Sequence, residues 1–479
     1  MRLARIALFC ALAFACTKGA RAPACATGET NRCACAGGGE GLQACLPSGD
    51  AFGACVCSLA CAGGAACVAM PALVGLDLDA AGALVQAAQL LLPDPVDPKG
   101  YITVQQISDP PVHVLAQDPP AGTPVKPGTR VVLTVTLPPD QESLGLPTNN
   151  FLVGALKQDT EESAQAYYDA LDPGPFPTRS TLQDWKDANG FGTPADAEAS
   201  AIYVTHTDLG FGRHMHMRRQ GRRVAFYVDN HPTIDDTIAG TRFFATVAME
   251  WSPGPRGKDT DPYFTQFYVF NKKGERITDP SLDDHGPKQN PAVCLVCHGG
   301  TTDQGYATNG GNLGAHFIPF DLDAEQFSER SGYTRAEQEA AFKAFNEAVQ
   351  VTWDPADPEY SPDDPAPVPQ LVDGWYGGPG HPSPIFLGGA TLPGWDVSPE
   401  ARGLYHQVFA KSCMTCHAQR EQTRNFSTFA KFADAKPLIE QRVFEEGAMP
   451  LSQRGSLNFW LSYPHQPKIL ANWLGAQLR

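Results

Sequence analysis

Cys294-Leu295-Val296-Cys297-His298 and, 115 residues further on, Cys413-Met414-Thr415-Cys416-His417 are the stretches around which this chain is organised. Two cysteines three apart followed by a histidine put both sulfurs on one side of a helical turn, with the imidazole at the end of that turn. The flanks of the two motifs differ. Around the second, Ser398-Pro399-Glu400 is a helix start, with Ser as cap and Pro in the first turn. That helix leads to Lys411, the loop Gly447-Ala448-Met449-Pro450 follows the motif, and an apolar-periodic helix with Leu470 and Trp473 closes the chain over residues 467–478. Residues 394–479 are therefore expected to be all helical. Upstream of the first motif the pattern is β. Short runs at residues 201–205, 213–218, 224–228, 242–251 and 264–270 are β-branched and aromatic, and Phe243, Ala245, Val247, Met249 and Trp251 alternate with period two. Gln220-Gly221 and Lys273-Gly274 supply turns. Thr334-x-x-Glu337 opens a helix carrying Phe342, Phe345 and Val349 on one side, and the acidic, Pro-rich residues 353–370 read as a loop.

C-x-x-C-H is the attachment motif of haem c: the sulfurs form thioethers to the vinyl groups and the histidine reaches the iron. Three alternatives compete. Zinc ribbons place their pairs roughly 15–20 residues apart, far closer than here. Redox disulfides sit in a thioredoxin-like β-α-β pattern, which is missing. Structural disulfides suit an exported chain but leave a histidine after each pair unexplained. Two covalent c haems, held by Cys294, Cys297 and His298 and by Cys413, Cys416 and His417, are the expectation.

Over residues 394–479 the helix before the motif, the Met-Pro loop and the closing helix resemble a class I cytochrome c domain. The resemblance implies that His417 is the proximal ligand and Met449 the distal one, and that the first and last helices cross beside the haem. Met449 is also the only methionine after Cys416. The first motif has no such partner, because no methionine lies between Cys297 and Cys413. The candidates for its distal ligand are His216 and Met215 first, from the strand His214-Met215-His216-Met217, then His316, then Met249. His381 sits in a Gly/Pro loop and His406 on the helix before the second motif. An open sixth position is the remaining alternative, and it would make the first haem a reactive or ligand-binding site.

The 14 cysteines divide unevenly: ten precede residue 68. Arg2 and Arg5, the apolar run 6–15 and Ala13-Phe14-Ala15 form an export signal over residues 1–15. Cys16 follows at once, as in a bacterial lipoprotein signal, although Leu12 sits one position early for that pattern. Residues 17–68 hold eight cysteines in a Gly/Ala-rich stretch and read as a disulfide module. In residues 69–137 an Ala/Leu-rich helix up to Leu92 is followed by strands at 101–108 and 130–136, with Gln117-Asp-Pro-Pro-Ala-Gly-Thr-Pro-Val-Lys-Pro-Gly-Thr between them. This segment resembles a PASTA domain, which implies a β-sheet-plus-helix module of the bacterial envelope and, with it, binding to peptidoglycan. Residues 138–150 are a polar linker and 151–393 form the β-rich and helical domain of the first motif. The fold class is thus multidomain α+β.

The formal net charge of −16 argues against nucleic acid as a partner. No apolar run reaches the roughly 18 residues of a membrane-spanning helix, which leaves a lipid on Cys16 as the expected membrane contact. The leading expectation is an electron-transferring dihaem cytochrome of the cell envelope, docking redox proteins through a basic face. The alternatives are a peroxidase- or oxygenase-like oxidoreductase working at an open first haem, for which no acid/base residue is legible, and a wall-binding haem sensor.

Overall fold

The structure is a computed structural model. It describes residues 30–34, 40–44, 51–53, 55–60, 66–92, 102–107, 113–137, 160–205, 207–282, 287–300, 308–353, 366–418 and 424–476. The export signal, Cys16 and the 138–150 linker lie outside these residues.

The chain divides into two compact units. The first comprises residues 1–73, 79–92 and 119–131. Its sheet runs in the order Thr30–Ala34, Glu40–Ala44, Val56–Ala60, Ala66–Ala69, Pro124–Val125, and all its pairings are antiparallel. A disulfide joins Cys33 to Cys55, and Cys67 is also disulfide-bonded. This agrees with the expected disulfide module; Cys57 lies in the strand Val56–Ala60, and Cys25, Cys35, Cys45 and Cys61 lie outside the described residues. Most of the helix Leu78–Ala87 belongs here too, shorter than the sequence suggested.

The second unit holds everything else. In its small sheet Val132–Leu137 is central, parallel to Ile102–Ile107 and antiparallel to Val114–Asp118. Its large sheet is antiparallel throughout, in the order Phe264–Phe270, Ala245–Ser252, Arg223–His231, Gly212–Gln220, Ala197–Thr205, Glu325–Gln326. All five expected strands are present. Register fixes the two faces, because successive residues of a strand point to opposite sides. Tyr203 pairs with Arg213, Met215 with Val228, Val228 with Val247 and Phe226 with Met249, so these residues share one face. The helix Arg335–Val351 covers part of it, with Phe342 5.1 Å from the Tyr203 ring and Phe345 5.7 Å from Phe226. Its predicted capping box is formed, Glu337 N donating to Thr334 Oγ1 and Thr334 N to Glu337 Oε2.

Two helices that the sequence reading did not place, Glu161–Leu171 and Leu182–Ala188, cover the other face. Each starts on a threonine cap, and they bring Tyr168 and Trp185 against Tyr268 and Tyr227. The expected loop 353–370 ends early, since a helix runs Pro367–Trp375. Prolines in a first turn cost no hydrogen bond, and Val368, Leu371, Val372 and Trp375 recur at helical spacing and are buried. The C-terminal part is helical as expected. Ser398 caps the helical run 399–412, and residues 405–409 of that run pack on the helix Gln466–Leu474. Trp395 stands at the centre, 4.7 Å from Phe409 and 5.1 Å from Phe432.

Candidate functional site

Both pentapeptides form the expected helical turns, Ala292–His298 and Met414–His417, and these two turns pack against each other. None of the four cysteines is in a disulfide. Burial pushes Cys294 and Cys413 up to about 12, so both are protonated at neutral pH.

The histidines share a second device. His298 Nδ1 lies 2.8 Å from the carbonyl oxygen of His316, and His417 Nδ1 lies 2.9 Å from that of Arg424. A hydrogen bond from Nδ1–H to a carbonyl fixes the tautomer and leaves Nε2 with its lone pair exposed, the state a metal-ligating imidazole requires. Burial depresses His298 to about 4, outweighing the raising effect of the His316 carbonyl, so the neutral ring persists at physiological pH. Each ring is also braced by an aromatic: Phe426 stacks on His417 at 4.7 Å, and Phe267 lies 5.5 Å from His298. Behind His298 the chain turns through Gly299 and Gly300. At Gly300 (φ +91°) a Cβ would sit 2.5 Å from the Leu313 carbonyl, so the close pass that brings His316 under the ring needs glycine.

Each motif opens on its own cavity. The second cavity, about 70 Å³, is lined by Cys413, His417, Phe426, Arg442, Val443 and Met449 among others. Met449 therefore shares a cavity with His417. Its loop is held by hydrogen bonds from the Ala448 and Met449 amides to the Arg442 carbonyl. Cys416, three residues beyond Cys413, is not on that wall; Cys413 stands just outside the turn at φ −122°, which breaks the strict helical spacing between the two sulfurs.

The first cavity is larger, about 200 Å³, and Cys294, Cys297 and His298 all line it. So do Met215 and Met249 from the sheet, and Met414, Thr415 and Ala418 from the second motif. The turn Met414–His417 thus stands between the two cavities, showing its central residues to one and Cys413 and His417 to the other. Thr415 Oγ1 ties it to the sheet domain through Thr207 Oγ1 at 3.1 Å.

Two expected ligands of the first site are corrected. His216 lies on the opposite face of the sheet from Met215, stacked on Tyr227 at 4.4 Å, because neighbouring strand residues point opposite ways. His316 uses its main chain, not its ring. Its amide and carbonyl bond His298, while its imidazole stacks on Trp353 at 4.5 Å. His381 bridges Glu347 and Asp373, and His406 bonds Thr391. Met414 faces the neighbouring motif's cavity and accepts a hydrogen bond from Tyr405 at 3.3 Å.

The residues present fit c-type haem. The first motif brings Cys294 and Cys297, and the second Cys413, to the edge of a largely apolar cavity beside an imidazole whose Nδ1 is already engaged. Among the described residues no cluster of three or more His, Cys, Asp or Glu could hold a metal ion.

Residues 68–136 match the family model of the PASTA domain. No curated protein and no solved structure matches the chain. The match covers the expected PASTA segment almost residue for residue. Together with the disulfides it fits an exported protein. Among the described residues no helix is long and apolar enough to cross a membrane.

Proposed function

We propose that this chain is a dihaem c-type cytochrome that transfers electrons in the bacterial cell envelope. The observation that carries the reading is the duplicated histidine device on two motif turns that touch each other. When bound, each haem would supply a one-electron couple. The chain's own residues do the rest. Cys294 and Cys297, and Cys413 and Cys416, would tether the two groups, and His298 and His417 would present Nε2 to the irons. Met449 would offer its thioether opposite His417, which raises a reduction potential relative to a second histidine. The packing of residues 405–409 on the helix Gln466–Leu474 supports the class I cytochrome c likeness of residues 394–479. The shared turn gives a short covalent and packed route from one cavity to the other.

Export is achieved by residues 1–15 and a lipid on Cys16 holds the protein at the envelope. The PASTA domain reaches peptidoglycan, and the acidic surface selects redox partners with a basic docking face. A second reading, a peroxidase-like oxidoreductase at the first cavity, is favoured by that cavity's size and its buried polar wall. A third, a wall-binding haem sensor, draws on the PASTA match alone.

The test is a reduced-minus-oxidised spectrum of holoprotein with and without carbon monoxide. The electron-transfer reading expects two low-spin haems and no rapid CO binding. Rapid CO binding to half of the haem would overturn it in favour of the second or third reading.

A further inference from the structure

Thr207 stands in the short connection between the strands Ala197–Thr205 and Gly212–Gln220, and it meets the second site from two sides. Its hydroxyl accepts from Thr415 Oγ1 at 3.1 Å, inside the turn that carries His417. Its carbonyl accepts from Ser452 Oγ at 3.2 Å, and only Pro450 and Leu451 separate Ser452 from Met449. Ser452 caps the helix Gln453–Trp460, its Oγ accepting from the Gly455 amide at 3.1 Å. That helix start lies hard against the connection. A Cβ on Gly455 would stand 3.0 Å from the Thr207 carbonyl oxygen, and one on Gly210 would stand 2.4 Å from Arg454 Cγ. Thr207 and Ser452 are both buried, so water does not replace a lost partner cheaply. The connection is itself stiffened. Asp208 Oδ1 accepts from the Leu209 and Gly210 amides, and its Oδ2 accepts from Arg213 Nη2 at 2.6 Å on the strand that follows. The Met449 loop is thus held at one end by the Arg442 carbonyl and at the other by the Thr207 carbonyl.

We propose that Thr207 is a positioning residue of the second site: one residue of the sheet domain fixes the spacing between the turn that presents His417 and the loop that presents Met449, and through that spacing the potential of the site. The potential rests on the haem reading; the spacing rests on the contacts alone.

Redox titration of the holoprotein reads both potentials in the wild type, Thr207→Val, Thr415→Val, their combination, Thr207→Ser and Gly455→Ala. Thr207→Val removes the hydroxyl and should lower the second potential, because a loosened thioether gives up part of what it adds. Thr415→Val should lower it by the same amount and the double variant no further, while Thr207→Ser, which keeps the hydroxyl, should match the wild type. Both hydroxyls also border the first cavity. An effect of their polarity would add across the two positions, whereas an effect of their shared bond does not. Gly455→Ala pushes the helix start off the Thr207 carbonyl and should lower the second potential too. An unchanged second potential in Thr207→Val or Gly455→Ala, or a double-variant shift equal to the two single shifts together, overturns the proposal. Intact mass reports covalent haem in the same samples. If haem is absent, the electron-transfer reading fails by itself, and the spacing is read in the haem-free chain as the rate at which iodoacetamide alkylates Cys413, which lines the second cavity two residues before Thr415. A rate about fivefold faster in each single threonine-to-valine variant, the loss of one hydrogen bond, and no faster in the double variant keeps the positioning role. A rate equal to that of the wild type removes it.

Discussion

The two motif cavities begin alike and end differently. Both start from a short helical turn, two thiols and an imidazole whose Nδ1 meets a main-chain carbonyl. His417 shares a small, almost wholly apolar cavity with a loop that brings one methionine to it. His298 shares its cavity with a sheet face that brings Met215 and Met249 together with Tyr203 and Arg213. The shared half is what a tethered redox group needs, and the divergent half is where potential and reactivity are set. The helical unit therefore carries the more conventional site, and the sheet domain the more adaptable one.

The largest effect that could break this comparison is loss of one group at a time. Cys413→Ala with Cys416→Ala should halve the covalent haem content while leaving the first site loaded, and Cys294→Ala with Cys297→Ala should do the converse; haem absorbance per chain reads both. Next, Met449→His should lower one potential and leave the other in place, because imidazole replaces thioether at the second site only. Redox titration checks this, and a shift in both potentials would mean the cavities are not independent.

How much of this was readable beforehand follows from what each feature depends on. The motif turns, the five strands of the large sheet and the Ser398 and Thr334 caps are local patterns, so the sequence displayed them. The Met449 loop was legible because it combines one rare residue with a proline and a glycine. The first cavity was not, because it is made by register. Which of Met215 and His216 faces inward depends on pairing across Val228 and Tyr227, and nothing in the strand itself says which face is covered. The role of His316 was hidden for a different reason: it acts through its carbonyl, and any residue has one.

Smaller effects sharpen the contrast. Trp353→Ala removes the ring on which His316 stacks and should cost about 3 kcal/mol of stability, as for other buried aromatics. It should disturb the first haem's spectrum and not the second's. Asp321 lies on the first cavity's wall, where burial pushes its carboxyl up to about 7. From about pH 4, the ordinary carboxylate range, to about pH 7 the folded chain keeps a proton that the unfolded chain has released. Stability should therefore fall as pH rises through that window. Asp321→Asn should flatten the fall, as read from melting temperature against pH. The smallest effect belongs to His216→Ala, which should leave both potentials unchanged because its ring is on the far face of the sheet. A shift in the first potential would mean that the face assignment is wrong.

The most direct test of the central claim is the intact mass of the protein, exported from a host that attaches haem to C-x-x-C-H motifs and measured under denaturing conditions. The account predicts a chain carrying two covalent haems, with one lost for each motif whose cysteines are replaced. A chain that carries none, with its four motif cysteines recovered as thiols or disulfides, would contradict it.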